Sequence, residues 1–527
     1  MSGIAKHTGS WNFDTAKHLA KRTMFGATRT DVDYFLAKGL DTSVAELLTT
    51  ETAPSPPVNN YSPAIPDPKV SYGSTWVNQP SFPVPATEIF LARKFSLKSW
   101  WIGQMLGQGR SVSQKMTLFW QNHFSIQLQT IPIPEAGYKY LNTLMQNCLG
   151  NIKSLTKLVT IDPAMLFYLN GYLNSASAPD ENYARELQEL FTVGKGPNSK
   201  YTEEDVKAAA KILTGYRINP QTAPVSYYFD ATKHDFTAKK FSSFYNDTII
   251  NGTGQTELDA LLDMIFSNNE TALHIVRKLY IYFVYYKIDD TIETEVIEPL
   301  AAILRNNNYN INPVLDVLFK SEHFYDISSR SCIIKNPLDF MVGICKEFKV
   351  NFPVAPDHVN QYDMWNFIRT QAALLGMDVI DAPSVSGWPA YYQIPSFHEL
   401  WVNSDTYARR NEFIDVLLNG FTKNGITLKA DLTDFAASLP NPSDPVLLIN
   451  DSIDLLLGLP LNQNAKNYYK NILLSGQSED YYWTSAWNNY AKTPVNDPNY
   501  AQYKSIVQNR LLTFYGELLK QSEYQLS

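Results

Sequence analysis

Apolar residues return at helical spacing in one segment after another of this chain, and strands nowhere alternate with helices. Such a pattern demands helix-on-helix packing and argues against a doubly wound parallel sheet. Ala16, Leu19, Ala20 and Met24 mark a first helix over about Thr15–Met24. Phe90, Leu91, Phe95, Trp100 and Trp101 mark Thr87–Met105, and Met116, Leu118, Phe119 and Trp120 mark Ser113–His123. The same spacing predicts helices over Tyr138–Leu149, Ile152–Val159, Ala164–Leu169, Thr256–Ser267, Glu270–Tyr286, Glu293–Arg305 and Asn312–Lys320. Thr202 with Asp205 three residues on reads as a capping box opening a helix to Leu213, and Asn336–Pro337 opens another that ends near Phe348. Four more follow near Tyr407–Leu418, Ser443–Leu457, Asn464–Leu474 and Asn499–Leu519. The fold class expected is mainly α, a large multi-helix globular protein.

Two stretches break the pattern. From Thr52 to Pro85, the prolines 54, 56, 57, 63, 66, 68, 80, 83 and 85 forbid helix over most of the length. The stretch is expected as either a mobile arm or an irregular wrap, and Tyr61, Tyr72, Trp76 and Phe82, placed to pin it, favour the wrap. The second break is a small β-excursion near residues 225–245, where Val225–Phe229 and Phe236–Phe244 have strand composition. The division expected is a helical core over 1–415 and a C-terminal helical region over 416–527.

A net charge of −8 and the lack of any basic cluster argue against a general affinity for nucleic acid. Cys148, Cys332 and Cys345 match no zinc spacing, and two of them sit among apolar neighbours, as buried reduced thiols do. Residues 1–14 contain no apolar core of signal-peptide type, and no stretch approaches the ~18 apolar residues that span a bilayer. A cytoplasmic setting is the default expectation.

The stretch Asp180–Leu190 is where chemistry is most expected. On a helix, Asn182, Arg185, Glu186 and Glu189 share one stripe, while Tyr183, Leu187, Leu190 and Phe191 share the other. A basic group, two carboxylates and an amide on one face can bind a metal or an anion, or pair with each other as a solvated face. His123, set among Phe119, Trp120 and Phe124 with Asn122 beside it, is either a packed core imidazole or a ligand and acid–base group. His234–Asp235 is either a plain turn or a bend that turns both side chains to one site. His274 and His323 read as isolated positions on amphipathic helices.

The motifs together resemble the bacterial DUF1800 family. Glu181–Leu190 followed by Gly194 is similar to its central motif. Collinear blocks agree from about residue 15 to residue 415. They are Arg22–Gly26, Asn122–His123, Gly150–Asn151, Asp162–Met165, Tyr201–Thr202 with Asp205, Thr214–Gly215, His234–Asp235, Arg277–Lys278–Leu279, and Pro383 with Gly387–Trp388. The resemblance implies a large, mainly helical protein of unassigned activity. Many such relatives are exported, and their genes lie beside those of proteins resembling the alkaline phosphatase superfamily, so a partner of that kind is implied here.

Two functions are expected in competition. In the first, His123, Glu186 and Glu189, with His234 and Asp235, line one cleft and hold a divalent metal or exchange protons, while Arg185 binds an anionic group. Hydrolysis is the reaction such a set most often supports. In the second, the polar stripe is a buried network that fixes helix packing in a binding or scaffold protein.

Overall fold

The computed structural model describes residues 3–79 and 87–527. Pro80, Phe82, Pro83 and Pro85 of the proline-rich stretch lie outside the described residues.

Helices dominate, with three small two-stranded antiparallel sheets among the described residues. The chain divides into two compact units. The first holds Val44–Phe324 and Asp378–Phe397 with the residues before Thr8; the second holds Thr8–Ser43, Tyr325–Met377 and His398–Ser527.

In the first unit the apolar spacing is realised as helices Thr87–Gly107, Ser113–His123, Pro134–Asn147, Ile152–Thr160 and Pro163–Tyr168. Their inner faces bury Trp101, Trp120, Tyr140 and Leu144 completely. The proline-rich stretch contains no helix from 52 to 79. It is pinned by Trp76, whose Nε1 donates to Ser96 Oγ at 3.2 Å, and by Tyr61, whose hydroxyl donates to Asp67 at 2.9 Å. Tyr72 stays exposed. Arg93, fully buried, ties the wrap down by bonding Asp67 at 2.8 Å and Glu135 at 2.5 Å.

The β-excursion is a hairpin of Tyr216–Asn219 with Ser226–Phe229, plus a two-residue pairing of Lys239–Lys240 with Ile249–Ile250. Most of Phe236–Phe244 is therefore not strand. The Asp205 carboxylate accepts from the Ser242 amide at 2.6 Å and its hydroxyl at 2.7 Å, and this turns the chain into the short 3-10 helix Ser243–Tyr245. The helices Glu257–Ser267 and Asn269–Phe283 follow.

In the second unit, Asn12 caps the helix Phe13–Thr23 through a capping box. Gly26, at φ +71°, lies so close to Gly343 that a Cβ there would stand 2.6 Å from the Gly343 carbonyl oxygen. The helix His358–Leu374 of this unit carries little apolar periodicity, and only Tyr362, Met364, Ile368 and Ala372 of it are buried. No helix among the described residues is long and apolar enough to cross a membrane.

Candidate functional site

The helix over the central motif is not continuous. An α-helical turn, Asn182–Glu186, gives way to a π-helical turn, Leu187–Phe191. Such turns leave backbone carbonyls without i+4 partners, and they recur at functional sites. The carbonyls of Leu190 and Phe191 are taken up by side chains from two distant segments. His123 Nε2 donates to Phe191 O at 3.0 Å, and His274 Nε2 donates to Leu190 O at 3.1 Å. Gly194, at φ +85°, closes the turn by donating its amide to Gln188 O at 3.0 Å. A Cβ at Gly194 would stand 2.3 Å from His274 Nδ1, so the imidazole and the turn require glycine there.

A carbonyl oxygen only accepts, so His123 carries its proton on Nε2 and presents the Nδ1 lone pair on its other side. Lys278 Nζ meets that lone pair at 3.2 Å and leans on Leu190 O at 3.4 Å. Lys278 and His274 lie four residues apart on the helix Asn269–Phe283, so one helical face delivers both. Among the described residues no carboxylate pairs with Lys278, and burial pushes its ammonium down to about 8. His123 is pushed well below the ordinary imidazole range, first by burial and then by the Lys278 charge. Burial, with the same charge, brings His274 to about 3.

The pair lines a small cavity of about 20 Å³ with Phe119, Asn122, Tyr282, Ser386, Tyr391 and Tyr392. That is room for a water or a single ligand oxygen. Phe119 stacks on the His123 ring at 6.1 Å. Asn122 Oδ1 accepts from the Trp388 amide at 2.9 Å, which anchors the Ser386–Tyr392 segment. Gly387, at φ +89°, makes this approach, since a Cβ would stand 2.3 Å from Asn122 Oδ1.

The other candidates stand among different partners. Arg185 grips Glu203 with two bonds of 2.7 and 2.6 Å and reaches Glu181 at 3.2 Å, on the exposed side of the motif. Those bonds raise its guanidinium and lower the Glu203 carboxyl. Glu189 pairs with Lys195 and accepts from the Tyr201 hydroxyl at 3.4 Å. Glu186 is raised, first by burial and then by the Glu189 charge beside it. His234 is buried with one nitrogen 2.9 Å from the Thr214 carbonyl oxygen and the other 2.9 Å from Glu257. Lys239 holds the second Glu257 oxygen at 2.5 Å. Asp235 caps a local turn. Burial would raise it, but bonds from the Thr237 amide and hydroxyl prevail and hold it below the usual carboxylate range.

The structure thus brings Glu186 and Glu189 together on the motif. It sets His123 with Lys278 and His274, and His234 with Glu257 and Lys239. Among the described residues no three His, Cys, Asp or Glu side chains are grouped to hold a metal ion. Both ring nitrogens of His123 are already engaged, and the Arg185 guanidinium is occupied by carboxylates. Lys278, Tyr282, Ser386, Tyr391 and Tyr392 were not among the candidates drawn from the sequence. One signal for part of this set is present there: His274, Lys278 and Tyr282 repeat every fourth residue on one face.

A family described as "Protein of unknown function (DUF1800)" matches residues 18–526. No curated protein and no solved structure matches the chain.

Proposed function

The chain belongs to the DUF1800 family, and on that premise we propose that it is an acid–base enzyme whose working pair is Lys278 and His123. One observation supports this reading above the rest. The Lys278 ammonium is half-buried against the neutral acceptors His123 Nδ1 and Leu190 O, with no carboxylate paired to it among the described residues. A charge taken out of water ordinarily has an ionic partner. An anionic oxygen of a small substrate entering beside Asn122 and Tyr392 supplies that partner.

An ammonium brought to about 8 also exchanges its proton near neutral pH. In the charged form Lys278 neutralises and protonates a developing oxyanion or leaving oxygen. In the amine form it takes a proton from the attacking water. The fixed Nδ1 lone pair of His123 holds Nζ in place through both states, so His123 is a positioning residue. This cycle is hydrolysis, with the cavity sized for the water or one substrate oxygen. Arg185, Glu186 and Glu189 lie along the motif, His234 and Asp235 hold the β-excursion to Thr214, Glu257 and Thr237, and no metal is assigned to His123, Glu186 and Glu189.

A second reading draws on a different observation. His123, His274 and Lys278 all satisfy carbonyls of the π-helical turn, as basic side chains do at helix C-termini. The cluster would then be a structural cap in a binding or scaffold protein. Acetate or inorganic phosphate titrated into wild type and Lys278→Met separates the two. The enzyme reading expects a melting temperature that rises with anion in wild type and not in the variant. Equal responses, or none in either protein, would leave only the cap.

A further inference from the structure

A second cavity in the first unit, of about 340 Å³, lies at the opposite end of the Ser113–His123 helix from the Lys278 pocket. Its volume is within the ~300–1,000 Å³ range of small-molecule sites. Three helix ends and one loop build it: Gln104 and Gly107 from Thr87–Gly107, Ser113, Gln114 and Thr117 from Ser113–His123, Met145 and Gln146 from Pro134–Asn147, and the stretch 51–54.

The lining chemistry is selective. It includes four glutamine amides, at 104, 108, 114 and 146, with hydroxyls from Thr52, Ser113 and Thr117, one carboxylate (Glu51) and no lysine or arginine. Among the described residues, a phosphate or carboxylate ligand would meet no cation here, and a flat aromatic ligand would meet no ring.

The amides are oriented. Gln114 is buried, and its Oε1 accepts from Trp101 Nε1 at 3.1 Å, so its NH2 group is left to donate. Gln104 leans its Nε2 on the Trp100 carbonyl at 3.5 Å, so its Oε1 is left to accept. Ser111 donates to Ser113 Oγ at 2.8 Å, fixing that hydroxyl. Paired neutral donors and acceptors match the adjacent hydroxyls of a sugar, each of which both donates and accepts. Met145, Ala53 and Pro54 offer apolar surface to its C–H face.

We propose that this amide-lined cavity is a binding site for a neutral polyhydroxylated ligand, a mono- or disaccharide. The site is separate from the Lys278 pocket and stands whether or not that pocket is catalytic. Saturation-transfer NMR on the full chain tests it, with maltose, N-acetylglucosamine and myo-inositol as probes. Transfer to at least one probe is expected. It weakens roughly ten-fold in Gln104→Leu and again in Gln146→Leu, as the loss of a hydrogen bond or two requires. Gln146 is exposed, so its variant keeps the fold. Unchanged far-ultraviolet circular dichroism checks the fold of both variants. No transfer from any of the three probes, or transfer as strong in both variants as in wild type, would overturn the assignment. So would binding of spermidine instead of the sugars, lost in Glu51→Gln, which would make the cavity a cation site.

Discussion

Asp162→Asn is expected to stabilise the protein at neutral and alkaline pH while leaving it unchanged in acid. Asp162 is buried at the N-cap of Pro163–Tyr168, where its Oδ1 accepts from the Ala164 amide at 2.8 Å. Burial dominates over that bond and over the nearby Lys139 charge, and raises the carboxyl to about 7. An unfolded aspartate titrates near ~3.9. The folded state therefore holds its proton more tightly than the unfolded state. Stability from this group is fully present below about pH 4, falls as pH rises, and levels off above about pH 7. Three pH units at ~1.36 kcal/mol each put the loss on the order of 4 kcal/mol, an upper figure since local relaxation softens it. Asparagine caps as well as aspartate and carries no charge. Urea unfolding of both proteins at pH 4.5, 6 and 8, followed by tryptophan fluorescence, should show the variant's advantage growing from about 1 kcal/mol at pH 4.5 towards its maximum at pH 8. A variant less stable than wild type at pH 8, or an advantage that does not change with pH, would refute the reasoning.

Other outcomes follow from single contacts. Gln121 is fully buried, and among the described residues neither of its amide atoms finds a hydrogen-bond partner. Gln121→Met should leave the unfolding free energy in urea unchanged or raise it by up to the ~1–3 kcal/mol that an unsatisfied buried polar group costs. Gly194→Ala forces a left-handed residue and a Cβ against His274. It should cost ~1–2 kcal/mol from backbone conformation alone, with displaced His274 imidazole signals in NMR spectra. Arg93→Met removes the cation from Asp67 and Glu135 and should cost ~3–5 kcal/mol in chemical denaturation.

Helix positions were legible because local chemistry sets them. Thr202 and Asp205 form the capping box that their spacing suggests, and Asn336 caps the helix opened by Pro337. The helix His358–Leu374 was not legible, since its buried positions are few and mixed with polar ones. The break in the central motif was hidden for another reason. A π-helical turn shifts the pairing by one residue without changing which residue types are needed, so Asp180–Leu190 reads as one continuous helix. The exposed stripe of Arg185 was legible as a self-paired face, and it pairs with Glu181 and Glu203. What His123 faces was not legible, because Lys278 and the Ser386–Tyr392 segment approach it from far along the chain. Likewise Glu257, the partner of His234, gives no sign of that role in its own helix.

In the proposed function Lys278 is a proton-exchanging cation whose anionic partner is the substrate. The most direct measurement is an NMR titration of the Lys278 side chain between pH 6 and 11, assigned by comparison with Lys278→Arg, with and without acetate. A midpoint near 8 is expected in the absence of anion, with a rise when acetate binds. A midpoint at the ordinary lysine value of ~10.4, unmoved by acetate, would contradict the role proposed for Lys278.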